Sequence, residues 1–274
     1  MNAHYPIGCL ARAALGRSGA GRMIAVLAEL SAYFDDSGTH DGSPVVVLGG
    51  LLGTEDQWLA FEAAWSKLLA EPLPGKAALK MFHLAPCRAA DGEFADYNQA
   101  ERDRVTYLFR KMILDVGLVT IASALNLTAW NELVTGDIAE ELGDPIAYCF
   151  VKCVDQVLNT IRFRKPGQRV AIVFDQGTRS DLEQWLKFYV SQSERYPEIA
   201  GLAFGRVSEI LPLQGADMIA TETYQFSQEW LKDGESAVAN AHFRDYLKRE
   251  LSCGLMCDRE HIEQIVARVQ ERRR

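Results

Sequence analysis

The strongest constraint on this chain is a pair of strands close to its start. Leu30–Asp36 reads as a strand ending in two acids, and Val45–Leu52 is a continuous apolar run. Between them, Ser37-Gly38-Thr39-His40-Asp41-Gly42 carries turn chemistry: glycine for positive φ, Asp and Ser for local side-chain bonds. Together they predict a β-hairpin. A strand apolar on both faces belongs inside a covered sheet, so helices must follow and pack on it. They do follow. Thr54 begins a capping box with Gln57, and Trp58, Phe61, Trp65, Leu68 and Leu69 fall on one helical face that Pro72 and Pro74 end.

The remaining pattern alternates. Residues 79–94 read as irregular, Asn98–Val116 as an amphipathic helix, Leu118–Leu127 as a strand and Thr128–Val134 as a short helix. Pro145–Phe163 is a further helix, and Val170–Phe174 a strand ending at Asp175. Ser180 opens a helix to about Glu194, and Leu202–Ile210 reads as the last strand. Leu213–Lys232, Val238–Leu251 and Arg259–Arg272 read as helices. Mixed strands and helices after a hairpin predict an α/β fold: a mixed sheet flanked by helices, with extra C-terminal helices. Residues 23–274 are expected to form a single domain with a helical extension from about 235, and no internal repeat divides them. Residues 1–22, with Arg12, Arg17 and Arg22 and no acid, are expected to be a disordered leader rather than a targeting segment.

Composition removes several classes. A chain of 274 residues, 48% hydrophobic and 24% charged, is globular and long enough to fold without disulfides. Its net charge of −8 gives no bulk attraction to nucleic acid or anionic lipid, so a polyanion must be met by a local patch or a bound cation. No apolar stretch reaches the ~18 residues of a membrane span. The six scattered cysteines are cytoplasmic usage rather than a disulfide framework. Cys149/Cys153 and Cys253/Cys257, the latter extended by His261, have helical spacing; the expectation is buried helical cysteine, with zinc as the alternative. Phosphate-loop, dinucleotide-binding, zinc-protease and nucleophile-elbow motifs are absent.

What carries chemistry is a set of carboxylates. Asp35 and Asp36 end the first strand, Asp175 ends an apolar strand, and Asp217 lies near the start of a long helix. A strand-end acid in an apolar setting needs a hydrogen bond, a partner or a cation, and hard divalent ions take oxygen ligands. Adjacent strand residues point to opposite faces, so one of Asp35 and Asp36 faces such a site, and alternation does not choose between them. Gln214 and Asp217 share a helical face that Thr221 and Tyr224 continue; Glu222 lies off it.

The segments YFDDSG at 33–38, FHL at 82–84, VFDQG at 173–177 and LQGADMIA at 213–220 resemble the bacterial family named domain of unknown function 3800. The resemblance covers roughly residues 28–232. It implies a ribonuclease H-like fold and a metal-dependent nuclease, with Asp35 as first-strand acid, Asp175 as later-strand acid and Asp217 as helix acid. Asp36 stands where the family usually has Glu, and Met81 where many members have an acid; Glu62, on the apolar side of its helix, is the candidate replacement. The implied reaction is phosphodiester hydrolysis with two Mg2+ or Mn2+ ions about 3.5–4 Å apart. Asp35, Asp36, Asp175 and Asp217 would supply the metal ligands, Gln214 would position substrate or water, and His83 would shuttle a proton or meet phosphate. Arg162–Lys165 with Arg169, and Arg268 with Arg272–Arg274, are the candidate nucleic-acid patches. Two other classes compete. One is an actin-like or sugar-kinase phosphotransferase, from Asp36-Ser37-Gly38-Thr39 and Asp175-Gln176-Gly177-Thr178. The other is a non-catalytic binding protein on the same fold. The apolar helices after residue 238 would suit a homodimer.

Overall fold

The structure is a computed structural model and describes residues 28–176, 196–234, 246 and 252–274. The expected leader, the helix from Ser180 and the helix over Val238–Leu251, apart from Tyr246, lie outside the described residues. The hairpin is β1 (Leu30–Ser37) and β2 (Val45–Thr54), antiparallel, with Asp35 opposite Gly49. Thr54 caps α1 (Glu55–Ala70) with the predicted box to Gln57. The middle segment leads into the short α2 (Leu84–Ala89), a 3-10 turn (Gly92–Phe94) and α3 (Gln99–Val116). Then come β3 (Val119–Asn126), α4 (Leu127–Leu133), α5 (Asp137–Leu142) and α6 (Pro145–Arg164). β4 (Val170–Asp175), β5 (Ile199–Gly205) and α7 (Leu211–Asp233) follow, and β6 (Ser252–Cys257) and α8 (Arg259–Arg272) end the chain.

The mixed sheet flanked by helices expected of a ribonuclease H-like chain is present. The six strands run in the order β5-β4-β1-β2-β3-β6. β2 is antiparallel to both neighbours, while β1, β4 and β5 are mutually parallel. Their carboxyl ends therefore lie along one edge, where ligands of open α/β sheets collect.

Strand alternation divides the core in two. Ala32, Phe34, Ile172 and Phe174 face α6, packing on Cys149, Phe150 and Cys153. Tyr33, Leu51 and Val173 face the other way, into the aromatic cluster of α1, α3 and α7. There Trp65 and Phe82 pack on Phe109, with ring centroids 4.5 and 4.1 Å away.

Two expectations need correction. Ser252–Cys257, expected as a link between C-terminal helices, is a strand paired in parallel with β3. Cys253 and Cys257 are thus strand residues rather than helical ones. The α2 turn also lies within the segment read as irregular. Both are short pieces whose structure comes from what they pack against, not from their own periodicity.

Candidate functional site

Asp35 has the parity of Tyr33, and Asp175 that of Val173. Both carboxylates therefore point to the α7 side at the carboxyl edge. Asp36 has the opposite parity; its Oδ2 accepts from the Thr39 hydroxyl (2.9 Å), and its N–H donates to Asp35 Oδ1 (2.8 Å).

Two glycines bring α7 to these acids. A Cβ at Gly49 would stand 2.6 Å from the Ala220 backbone, and one at Gly215 would stand 2.9 Å from Leu51 Cδ1. The helix thus lies against the β1–β2 ladder beside Asp35, with buried Asp217 one turn before Ala220. Burial holds the Asp35 carboxyl well above the usual carboxylate range, and the charges of Asp217, Asp175 and Asp36 push it further.

Asp217 is the best-held acid. Its Oδ2 accepts from the Leu84 N–H (3.2 Å), and its Oδ1 lies 2.9 Å from His83 Nε2. The hydrogen bond to Asp217 raises the His83 pKa against the opposing effect of burial. Phe82-His83-Leu84 works by alternation: Phe82 and Leu84 are buried anchors, and half-buried His83 faces the carboxylates. Asp175 Oδ1 accepts from the Val207 N–H (2.9 Å).

Gln214 sits beneath all of this, 1% exposed. Its Oε1 accepts from Trp65 Nε1 (2.8 Å) and the Phe82 N–H (3.0 Å), and its Nε2 donates to the Val207 carbonyl (3.3 Å). Its amide is spent on the protein. It fixes the residue before His83 and the residue whose N–H holds Asp175. The shared face of Gln214 and Asp217 was legible in the sequence; these long-range partners were not.

Glu62 is half-buried, and desolvation pushes its carboxyl up to about 7. Its charge acts on Tyr33, whereas those acting on Asp35 belong to Asp217, Asp175 and Asp36.

Hard carboxylate oxygens crowded enough to repel one another are the donor chemistry that suits Mg2+ or Mn2+. On that chemistry the residues fit the group. In their present conformations Asp217 is turned to His83 and Leu84 and Asp175 to Val207. Among the described residues, no three His, Cys, Asp or Glu side chains are already gathered as a ligand set.

The other sequence candidates separate from this site. Cys149 and Cys153 are buried in the core on the α6 side, and burial pushes their thiols up, as it does that of Cys257 to about 11. His261 Nδ1 is 2.8 Å from Asp258 Oδ1. The basic patches are partly neutralised: Arg162 meets Glu198 at 2.7 Å, and Arg272 and Arg273 meet Glu141 at 2.9 and 3.1 Å. Thr39, in the first candidate phosphate turn, is bonded to Asp36, and Gly177-Thr178 lie outside the described residues. Among the described helices, none is long and apolar enough to cross a membrane.

No family model and no curated protein matches the chain. Among solved structures it is similar to Bst-RNase HIII in complex with Mn2+, at 11% identity and a TM-score of 0.43, covering 89% of this chain and 71% of that one. It is also similar to a mutant protein of Bst-RNase HIII, at 12% identity and a TM-score of 0.42, covering 90% and 72%.

Proposed function

We propose that the chain is a metal-dependent phosphodiesterase acting on nucleic acid. The observation that supports this reading is that Asp35 and Asp175 share one side of the carboxyl edge of β1 and β4, with the Asp35 charge opposed first by burial and then by Asp217, Asp175 and Asp36. The three aspartates would hold the ion; when bound, Mg2+ or Mn2+ supplies Lewis acidity and lowers the pKa of water. The protein does the rest. Asp217, fixed by Leu84, orients His83 through Nε2, which places a proton-carrying ring at the rim. Val207 orients Asp175, and Gln214 holds the Phe82 and Val207 backbones so that both neighbours stay in register. Asp36, on the other parity and tied to Thr39, shapes the turn rather than the ligand set.

The binding-protein alternative predicts acids splayed apart or neutralised by Arg or Lys, and the turning of Asp217 to His83 and Leu84 and of Asp175 to Val207 is the observation on its side. Among the described residues the cationic partner of Asp217 is His83, and the charges acting on Asp35 are carboxylates. The test is thermal denaturation with and without Mn2+, beside cleavage of RNA, DNA and hybrid substrates, for wild type and Asp35→Asn. A Mn2+-dependent rise in Tm with cleavage, both lost in Asp35→Asn, supports the reading. No rise and no cleavage of any substrate overturns it.

A further inference from the structure

We propose that Arg110, Glu222 and Arg88 form a positioning clamp that sets α2, and with it His83 and the Leu84 N–H, against Asp217. This rests on the phosphodiesterase reading and extends it to residues behind the site. Arg110, on α3, is 3% exposed, and Glu222, on α7, is 1% exposed. Arg110 Nε donates to Glu222 Oε1 at 2.9 Å, and its Nη2 also bonds that oxygen. From α2, Arg88 brings Nη2 to 4.0 Å of the same atom. One carboxylate thus gathers two guanidinium groups, and three helices meet on it.

Leu84 and Cys87 bury α2 in the aromatic core, but apolar burial leaves its rotation and register to polar contacts. The helix has six residues, and its N-cap, His83, makes no side-chain capping bond. Its leading N–H, on Leu84, is accepted from another element by Asp217. Glu222 is five residues beyond Asp217 on α7, as Arg88 is five beyond His83. At 1.5 Å per residue the two attachments are about 7.5 Å apart along each helix. So α7 grips α2 near both ends, once at the site and once behind it. Cys87 Sγ, 3.6 Å from Thr106 Oγ1, adds a weak tie to α3.

Stability alone does not explain the arrangement. A buried ion pair is often no better than an apolar replacement of similar volume. Among the described residues, Glu222 Oε2 and Arg88 Nη1 are buried without a hydrogen-bond partner, a cost an apolar cluster would avoid. The role that remains for the pair is a directional one, fixing the position of α2 through charge and hydrogen-bond geometry.

The test compares wild type with Arg110→Met/Glu222→Leu and with Arg88→Met, reading Tm, Leu84 amide exchange, Mn2+ affinity and cleavage. In the double variant Tm should stay within a few degrees of wild type. Leu84 exchange should rise at least tenfold relative to Ile219, Mn2+ should bind at least fivefold more weakly, and kcat should fall with KM unchanged. Arg88→Met should move each readout the same way by a smaller step, and it decides the matter alone if the double variant does not fold. A folded variant with wild-type Leu84 protection overturns the proposal. If wild type binds no Mn2+, the phosphodiesterase reading fails, while the exchange readout still judges the clamp.

Discussion

Burial and three neighbouring carboxylates oppose the charge of Asp35, so the proposed metal role has a thermodynamic signature. Replacing Asp35 by Asn removes that opposition, so in chelator at neutral pH Asp35→Asn should melt higher than wild type, by about 2–4 °C per kcal/mol relieved in a chain of this size. With Mn2+ the wild type should gain and the variant should not; calorimetry of the four combinations checks this, and an Asp35→Asn variant less stable without metal contradicts it. Glu62 gives a separate pH signature. Its folded pKa, about 7, lies above the ordinary value of 4.5. The unfolded chain therefore loses this proton first, and wild-type stability is eroded as pH climbs from about 4.5 towards 7. Glu62→Gln should remove that erosion, giving a Tm above wild type at pH 8 and equal to it near pH 4. Cleavage at pH 8 should be unchanged, since Glu62 acts on Tyr33 rather than Asp35; loss of Mn2+ binding in this variant would instead make it a ligand.

At the scale of elements, the close approach of α7 to the hairpin is the step that makes a site out of separate acids. Gly49→Ala places a Cβ 2.6 Å from the Ala220 backbone, which cannot swing aside as a flexible side chain would. The expected loss is about 1–3 kcal/mol, with a weakened Mn2+ response as Asp217 is lifted from Asp35. Gly42→Ala, at φ +80 with open space around it, should cost less than Gly49→Ala and leave the Mn2+ response intact. Paired melting curves of the two variants separate strain at a turn from separation of the site. Such elements were also where sequence was most and least informative. The hairpin, the capped α1, α3 and the apolar β4 each carry their own periodicity or cap, so their residues announced them. Asp35 could not be told from Asp36, because Tyr33 and Phe34 are equally apolar and only the helices on each face decide. Glu222 lies off the Asp217 face, and its partner Arg110 is on another helix, so local spacing holds no trace of the pair. β6 escaped because SCGLMC has little strand preference, and the open edge of β3 makes it a strand.

Taken as a whole molecule, the sheet has a carboxylate side and a closing side, and the two should respond independently to damage. The proposed site lies at β1 and β4. At the other end β6 covers the edge of β3, and α8 returns over α4, burying Ile262 in the core that contains Trp130 and Phe150. Ion pairs from Arg259 to Glu132, and from Arg272 and Arg273 to Glu141, hold α8 to α4 and α5. These exposed pairs contribute about 0–1 kcal/mol each, so the apolar contact dominates the closure. A chain ending at Leu251 should lose that contact and leave an unpaired edge strand, a template for association. The expected outcome is a lower Tm, broadened unfolding and oligomers in size-exclusion chromatography. Ile262→Ala provides the graded version. Fully buried, it should cost about 2–5 kcal/mol by leaving a cavity, while keeping the edge paired and the chain monodisperse relative to wild type. Because Ile262 packs in the core on the α6 side while Asp217 is held by Leu84 and His83, the Mn2+-induced rise in Tm should survive in Ile262→Ala. Equal damage to stability and to the metal response would mean that the two sides of the sheet are coupled, and that the carboxylate edge is assembled by the whole core rather than by β1, β4 and α7.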